Sequence, residues 1–147
     1  MKVVAIVQAR LGSTRLPGKV LRDLAGKPML ARVLERVRRA ESVDETIVAT
    51  SDLPGDDALA EWLTAGGHAF FRGSEQDVLA RFAGAAAQAG ADAIVRITAD
   101  CPLIDPGVID EVVAAFNAGQ PGLAYASNVL PRRTFPRGLD KIGRAHV

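Results

Sequence analysis

The chain has 147 residues, of which 48% are hydrophobic and 24% are charged, a composition typical of one globular domain with a buried core. Its formal net charge of +1 gives no support for a general role on nucleic acid or on a membrane surface, because both require a clustered basic excess. Cys101 is the single cysteine and cannot form an internal disulfide. The first apolar run is too short for a signal peptide, and no apolar run approaches the length of a membrane span. We therefore expect a cytoplasmic protein.

Short apolar runs alternate along the chain with stretches of helical periodicity. The first run, residues 3–7, is rich in β-branched residues and lacks polar alternation, as in a parallel strand covered on both faces. In chain order the sequence predicts a strand at 3–7, a helix opened by Pro28, a strand at 46–50, a helix at 56–63, a strand at 68–71, a helix after a capping box of Ser74 and Asp77, a strand at 93–97, a helix opened by Asp105 and Pro106, and a fifth strand at 122–125. The alternation predicts a three-layer α/β/α fold with a mainly parallel sheet.

Four polar loops follow the predicted strands, at residues 8–19, 51–56, 72–77 and 98–105. Connections between parallel strands are right-handed crossovers, so these loops should lie along one edge of the sheet. Ligands in such sheets bind beyond the carboxyl ends of the strands. We therefore expect the four loops to converge on one crevice.

The first loop is the most informative, because residues 9–19 carry three cations and no acid. Fixed cations combined with hydroxyl and backbone donors are what a triphosphate requires. The cations are Arg10, Arg15 and Lys19, the hydroxyls belong to Ser13 and Thr14, and Gly12 and Gly18 permit close approach of the backbone. A basic loop that faces water is the alternative, and the spacing alone leaves both open.

Two common nucleotide motifs do not fit this loop. A P-loop has four residues between its glycines and a Ser or Thr after its Lys, whereas five residues separate Gly12 from Gly18 and Val20 follows Lys19. The hydroxyl that would bind magnesium is therefore missing. The loop is not G-x-G-x-x-G either, which disfavours a dinucleotide site.

Four motifs in order resemble those of the sugar-acid cytidylyltransferases, a family that includes acylneuraminate, deoxy-octulosonate and spore-coat polysaccharide types. The motifs lie at residues 9–19, 71–79 (FRGSEQDVL), 96–104 (RITADCPLI) and 135–140 (FPRGLD), and the resemblance extends from Val3 to Asp140. It is strongest to the spore-coat type. The resemblance implies a glycosyltransferase-A-like nucleotide-binding fold, with residues 1–140 as the N-terminal portion of a nucleotidyltransferase domain.

The same resemblance implies an enzyme that transfers CMP from CTP to a sugar or sugar acid, releases pyrophosphate and uses Mg²⁺. Its implied catalytic residues are Arg10, Lys19 and Asp100, with Asp100 as the metal ligand. The residues implied to bind CTP are Ala9, Arg10, Gly12, Ser13, Arg15, Lys19, Arg72, Ser74 and Thr98. The better-known sialic-acid and octulosonate enzymes have Gln at the position of Thr98, which favours the spore-coat type. The implied partners are small substrates and, for the full-length protein, a second copy.

Several alternatives stay open at this point. From the residues alone, Asp100 also fits a turn aspartate held by backbone N–H groups. The chain also fits another nucleotidyltransferase or a glycosyltransferase on the same fold, or a nucleotide-binding fragment without catalysis. Cys101 and His68 fit structural roles, and Asp52, Asp56 and Asp57 are predicted to cap the helix after the second strand.

The last seven residues, 141–147, depart from the family pattern, which would continue into a hydrophobic strand. They can be encoded by AAG ATC GGA AGA GCA CAC GTC, the common short-read sequencing adapter in one frame, and the adapter's next codon is a stop. We therefore expect a non-native tail and a domain that is incomplete at its C-terminus.

Overall fold

The computed structural model describes residues 1–128. Four strands form one sheet, namely β1 (Val3–Gln8), β2 (Glu45–Ser51), β3 (Phe70–Gly73) and β4 (Ala93–Thr98). All neighbouring pairs are parallel, and the order is β3-β2-β1-β4. The apolar run of β1 is buried throughout because β1 lies between β2 and β4 with helices over both faces.

Four α-helices cover the sheet, namely α1 (Met29–Val37), α2 (Asp57–Ala65), α3 (Val78–Ala89) and α4 (Pro106–Ala118). Apolar side chains of α1, α2 and α4 share a core with one face of the sheet. A second core on the other face joins α3 to alternate residues of β1 and β2, such as Ile6 and Ile47. These two cores confirm the predicted three-layer α/β/α architecture.

Helix starts follow the sequence where proline or aspartate marks them. Pro28 directly precedes α1, and Asp105 caps α4 by accepting the N–H groups of Gly107 and Val108. The predicted capping box is confirmed in part, because the Ser74 hydroxyl accepts the N–H of Asp77 at 3.0 Å. The helix itself begins later than predicted, since Asp77 is the N-cap of α3 and accepts the Ala80 N–H at 2.8 Å.

Two strand predictions also need correction. The third strand begins at Phe70 rather than at His68, because the His68 N–H bonds to the Leu63 carbonyl at the end of α2. The segment 122–125 forms turn and bend rather than a fifth strand. There the Leu123 N–H closes a local turn onto the Gly119 carbonyl at 3.0 Å, so it is not available to a sheet.

Among residues 1–128, no helix has both the length and the apolar character needed to cross a membrane. The motif at 135–140, the predicted domain end at 140 and the tail at 141–147 lie outside the described residues. The 3₁₀ helices 19–21 and 54–56 belong to the polar loops and shape the site.

Candidate nucleotide site at the carboxyl ends of the strands

The loop after β1 contacts each of the other three polar loops, so the predicted convergence is confirmed. The Leu11 N–H donates to Asp56 Oδ1 in the loop after β2 at 2.7 Å. Arg10 Nη1 lies 2.7 Å from Glu75 Oε1 in the loop after β3. Lys19 Nζ lies 3.6 Å from Asp100 Oδ2 in the loop after β4.

A cleft of about 430 Å³ opens where β1 and β4 end. Among its lining residues are seven of the nine predicted CTP-binding residues together with Asp100. These are Ala9, Arg10, Gly12, Ser13, Arg15, Lys19 and Thr98. A second cavity of about 570 Å³ adjoins the cleft and shares Ser13, Arg15, Lys19 and Asp100 with it.

The cleft is strongly cationic, with four basic side chains and one acid among its lining residues. Arg10, Arg15 and Lys19 lie on the loop after β1, whereas Arg96 and Asp100 come from β4 and its loop. Arg10 is paired with Glu75, and Lys19 is paired with Asp100. Focused positive charge in a cleft favours a polyanionic ligand.

Backbone hydrogen bonds fold the loop around one peptide group. The Leu11 carbonyl accepts the N–H of Ser13 at 2.8 Å and that of Gly18 at 2.9 Å. Gly18 has a φ of 67°, a left-handed conformation that favours glycine, and it directly precedes the short helix that carries Lys19. Gly12 has no such φ, and a Cβ there would meet only Glu75 Oε1 at 3.9 Å. The expected need for glycine therefore has a conformational basis at position 18.

Two predicted CTP-binding residues do not line this cleft. The Arg72 guanidinium binds the segment after β2. Its Nε donates to the Ser51 carbonyl, and its Nη2 donates to the Leu53 carbonyl and to Asp57 Oδ1. The Ser74 hydroxyl accepts the Asp77 N–H, and the Ser74 carbonyl accepts a hydrogen bond from Arg81. Both residues therefore hold the loops that border the site.

Arg96 and Gln8 are lining residues that sequence reasoning assigned no role. The Arg96 guanidinium lies over the ring of Phe82, 5.4 Å from its centroid, with Nη2 3.5 Å from Gln8 Oε1. Stacking on an aromatic ring fixes a guanidinium while leaving its donors accessible. An arginine within the otherwise apolar run 93–97 was the sequence signal that could have found this residue.

Asp56 was predicted to cap α2 but makes no side-chain cap bond. It is 4% exposed, and its carboxylate accepts the Leu11 N–H and the Ser51 hydroxyl. The capping expectation is therefore wrong for Asp56, because tertiary contacts take both carboxylate oxygens.

Arg81 of α3 is a buried cation beside the site. It is 1% exposed, and its Nη1 donates to the carbonyls of Ser74 and Glu75. Burial lowers the pKa of the Arg81 guanidinium, as does Arg10 nearby, whereas Asp56 and Glu75 act in the opposite direction. Arg81 therefore holds the loop that presents Glu75 to Arg10.

The donor set of the cleft fits a magnesium ion that arrives with a nucleotide. Within the described part of the chain, no group of three or more His, Cys, Asp or Glu side chains is placed to hold a metal ion. Mg²⁺ is commonly held by one or two carboxylates together with substrate phosphates and water. The partly exposed Asp100 carboxylate supplies such an oxygen ligand at the edge of the cationic cleft.

Comparison with known proteins places the chain in context. A family model of cytidylyltransferases matches residues 4–134. The chain is 44% identical over 124 residues to a 3-deoxy-manno-octulosonate cytidylyltransferase of Trichlorobacter lovleyi, covering 84% of this chain and 48% of that protein. It is 40% identical over 117 residues to the spore coat polysaccharide biosynthesis protein SpsF of Bacillus subtilis, covering 77% of this chain and 49% of that protein. The chain thus spans about half the length of these curated relatives.

A solved cytidylyltransferase from Leptospira borgpetersenii serovar Hardjo-bovis superposes with a TM-score of 0.90. That structure is 38% identical in sequence, and the match covers 99% of this chain and 60% of that one. This structural similarity supports the nucleotidyltransferase fold that the motifs implied. Because the family model covers most of the chain, the protein belongs to the cytidylyltransferase family.

Proposed function

We propose that this chain carries the nucleotide-binding part of a cytidylyltransferase that transfers CMP from CTP to a sugar or sugar acid. The observation that carries the proposal is the cleft at the ends of β1 and β4, which is lined by four basic side chains and one carboxylate. Membership of the cytidylyltransferase family supports CTP as the nucleotide.

The proposed division of labour follows the two walls of the cleft. Arg10, Arg15 and Lys19 on the loop after β1 bind the phosphates, and Ser13 and Gly12 supply loop donors. Arg96 adds a cation from the strand wall. Thr98 and Ala9 line the cleft at the ends of β4 and β1, and we assign them to the nucleoside.

In the proposed reaction, a hydroxyl oxygen of the sugar attacks the α-phosphorus of CTP. A bond forms between that oxygen and the α-phosphorus, the bond from the α-phosphorus to the bridging oxygen breaks, and pyrophosphate leaves while the hydroxyl proton passes to solvent. Negative charge grows on the phosphoryl and leaving oxygens, so prepositioned cations stabilise the transition state more than the ground state. Magnesium held by Asp100 would add further charge neutralisation there.

The acceptor is proposed to be a surface polysaccharide sugar of the spore-coat type. Thr98 supports this branch, because it replaces the glutamine of the sialic-acid and octulosonate enzymes. The relatives that match the chain carry the names of both branches. Pyrophosphate release with a panel of neutral and acidic sugars, measured on the product of the whole gene, tests the acceptor.

A calorimetric titration with CTP, UTP and GTP in the presence of Mg²⁺ tests the nucleotide. The proposal expects saturable binding of one CTP per chain, tighter than that of UTP or GTP. Preference for another nucleotide would assign the chain to a different transferase on this fold. Tight CTP binding without pyrophosphate release by the whole gene product, over the entire sugar panel, would argue for a binding module.

A further inference from the structure

A buried carboxylate behind the cleft holds the loop that carries the phosphate-binding cations. We propose that Asp56 is a positioning residue for triphosphate binding, acting through the backbone of Leu11 without touching the ligand. This inference rests on the proposed function, since it assigns the support of the same site. Asp56 is not among the residues that line the cleft.

The contact joins two loops that are 45 residues apart in sequence. Asp56 Oδ1 accepts the Leu11 N–H at 2.7 Å, and the other carboxylate oxygen accepts the Ser51 hydroxyl. The carbonyl of Leu11 in turn accepts the N–H groups of Ser13 and Gly18. Both ends of this residue's backbone are therefore anchored, one by Asp56 and the other by the loop itself.

The loop's cations are arranged around this anchor. Arg10 precedes Leu11, and Arg15 lies between the two residues whose N–H groups meet the Leu11 carbonyl. Lys19 follows Gly18 directly. If the Leu11 N–H lost its acceptor, the loop would have to be ordered by the ligand, and ordering costs affinity. Binding sites depend on such supporting hydrogen bonds to keep first-contact groups in place.

The loop on which Asp56 lies is itself held in place. Arg72 donates to the Ser51 and Leu53 carbonyls of this loop. An aspartate before a helix ordinarily accepts a first-turn N–H, but Asp56 forgoes that bond. Its geometry is thus set by the neighbouring loop.

The test compares Asp56→Ala with Asp56→Asn in the 147-residue chain. The amide oxygen of asparagine still accepts the Leu11 N–H, and its NH₂ group can donate to Ser51, so Asp56→Asn should keep the affinity for CTP within about threefold. Alanine removes the acceptor, and we expect about a tenfold rise in Kd for CTP and for inorganic triphosphate. Amide hydrogen exchange at Leu11 should accelerate in Asp56→Ala and stay slow in Asp56→Asn.

Asp110 offers a matched control in a remote part of the molecule. Its carboxylate also joins two segments, accepting the N–H groups of Glu41 and Ser42. Asp110→Ala should lower the melting temperature without changing the Kd for CTP. If Asp56→Ala does not fold, Asp56→Glu takes its place, because the added methylene displaces the acceptor and predicts the same loss.

Three outcomes would overturn the proposal. They are parent-like affinity in Asp56→Ala (or in Asp56→Glu as its substitute), equal loss in Asp56→Asn and Asp56→Ala, and unchanged Leu11 exchange in Asp56→Ala. Failure of the proposed function is distinguishable, because the parent would then bind no CTP while Leu11 exchange still responded to Asp56→Ala. Equal loss in both variants would assign the effect to the carboxylate's charge instead of its hydrogen bond.

Discussion

Lys19 and Asp100 carry opposite charges 3.6 Å apart at the point where the cleft and its adjoining cavity meet. Lys19→Ala removes a charge-assisted phosphate contact and should weaken CTP binding by about 2 kcal/mol, or about 30-fold. Calorimetry measures the loss, and Lys27→Ala, which removes a lysine paired with Glu35 outside the cleft, is the control. Unchanged CTP affinity together with a normal melting curve would make Lys19 only a surface charge.

Asp100→Asn should remove the magnesium dependence of CTP binding. The amide oxygen remains a possible ligand, but the negative charge that holds Mg²⁺ against the phosphates is lost. The measurement is the Kd for CTP across a magnesium titration, compared between variant and parent. Overlaying titration curves would show that Asp100 has a structural role.

Arg96 is held over Phe82 and lines the cleft, so its guanidinium is ready for an anionic ligand without rearrangement. Arg96→Gln should raise the Kd for CTP about threefold, as expected for a partly exposed cation. Arg39→Gln on the exposed surface after α1 serves as the control for net charge. Equal Kd values for Arg96→Gln and Arg39→Gln would show that Arg96 does not contribute to CTP binding.

The positions of the cationic residues could be predicted from a motif, whereas positions that depend on tertiary contacts could not. Arg10, Arg15 and Lys19 follow a strand in a segment without acids, so the cationic wall could be expected from the sequence. Asp56 precedes a helix and looks like a cap, and local sequence contains nothing that reveals its bond to Leu11, 45 positions away. Arg81 lies within a helical segment, and its burial depends on the packing of α3 against the sheet.

At the scale of elements, the start of α3 depends on which side chain caps its first N–H groups. Asp77 accepts the Ala80 N–H, whereas Ser74 accepts an N–H outside the helix. Asp77→Ala should therefore lower the free energy of unfolding by about 1 kcal/mol, the usual contribution of an N-cap. Urea unfolding of Asp77→Ala beside Ser74→Ala measures the difference. A larger loss in Ser74→Ala than in Asp77→Ala would contradict the assignment of Asp77 as the main cap of α3.

Element types were easier to predict than element boundaries. The β-branched run of β1 and the Asp-Pro start of α4 encode their structures locally. The start of β3 moved to Phe70 because the end of α2 uses the His68 N–H. The prediction of a strand at 122–125 was wrong because this segment closes a turn after α4. Its apolar residues give no sign of that turn.

At the scale of the whole molecule, β4 is paired with β1 and with no other strand among residues 1–128. An unpaired strand edge invites association with another chain. Because the chain spans about half the length of its curated relatives, we expect it to self-associate and to melt below a version lengthened to match them. Size-exclusion chromatography and thermal melting of both proteins provide the comparison.

A monodisperse, cooperatively melting 147-residue monomer, as stable as the lengthened version, would show that this chain is a complete domain.

The central claim is that the cleft at the ends of β1 and β4 binds CTP. An NMR titration of the isotopically labelled 147-residue chain with CTP and Mg²⁺ tests it most directly. The predicted result is saturable binding, with the largest amide shifts in residues 10–19 and 98–100. Absence of saturable binding, or shifts concentrated away from these two loops, would contradict the account.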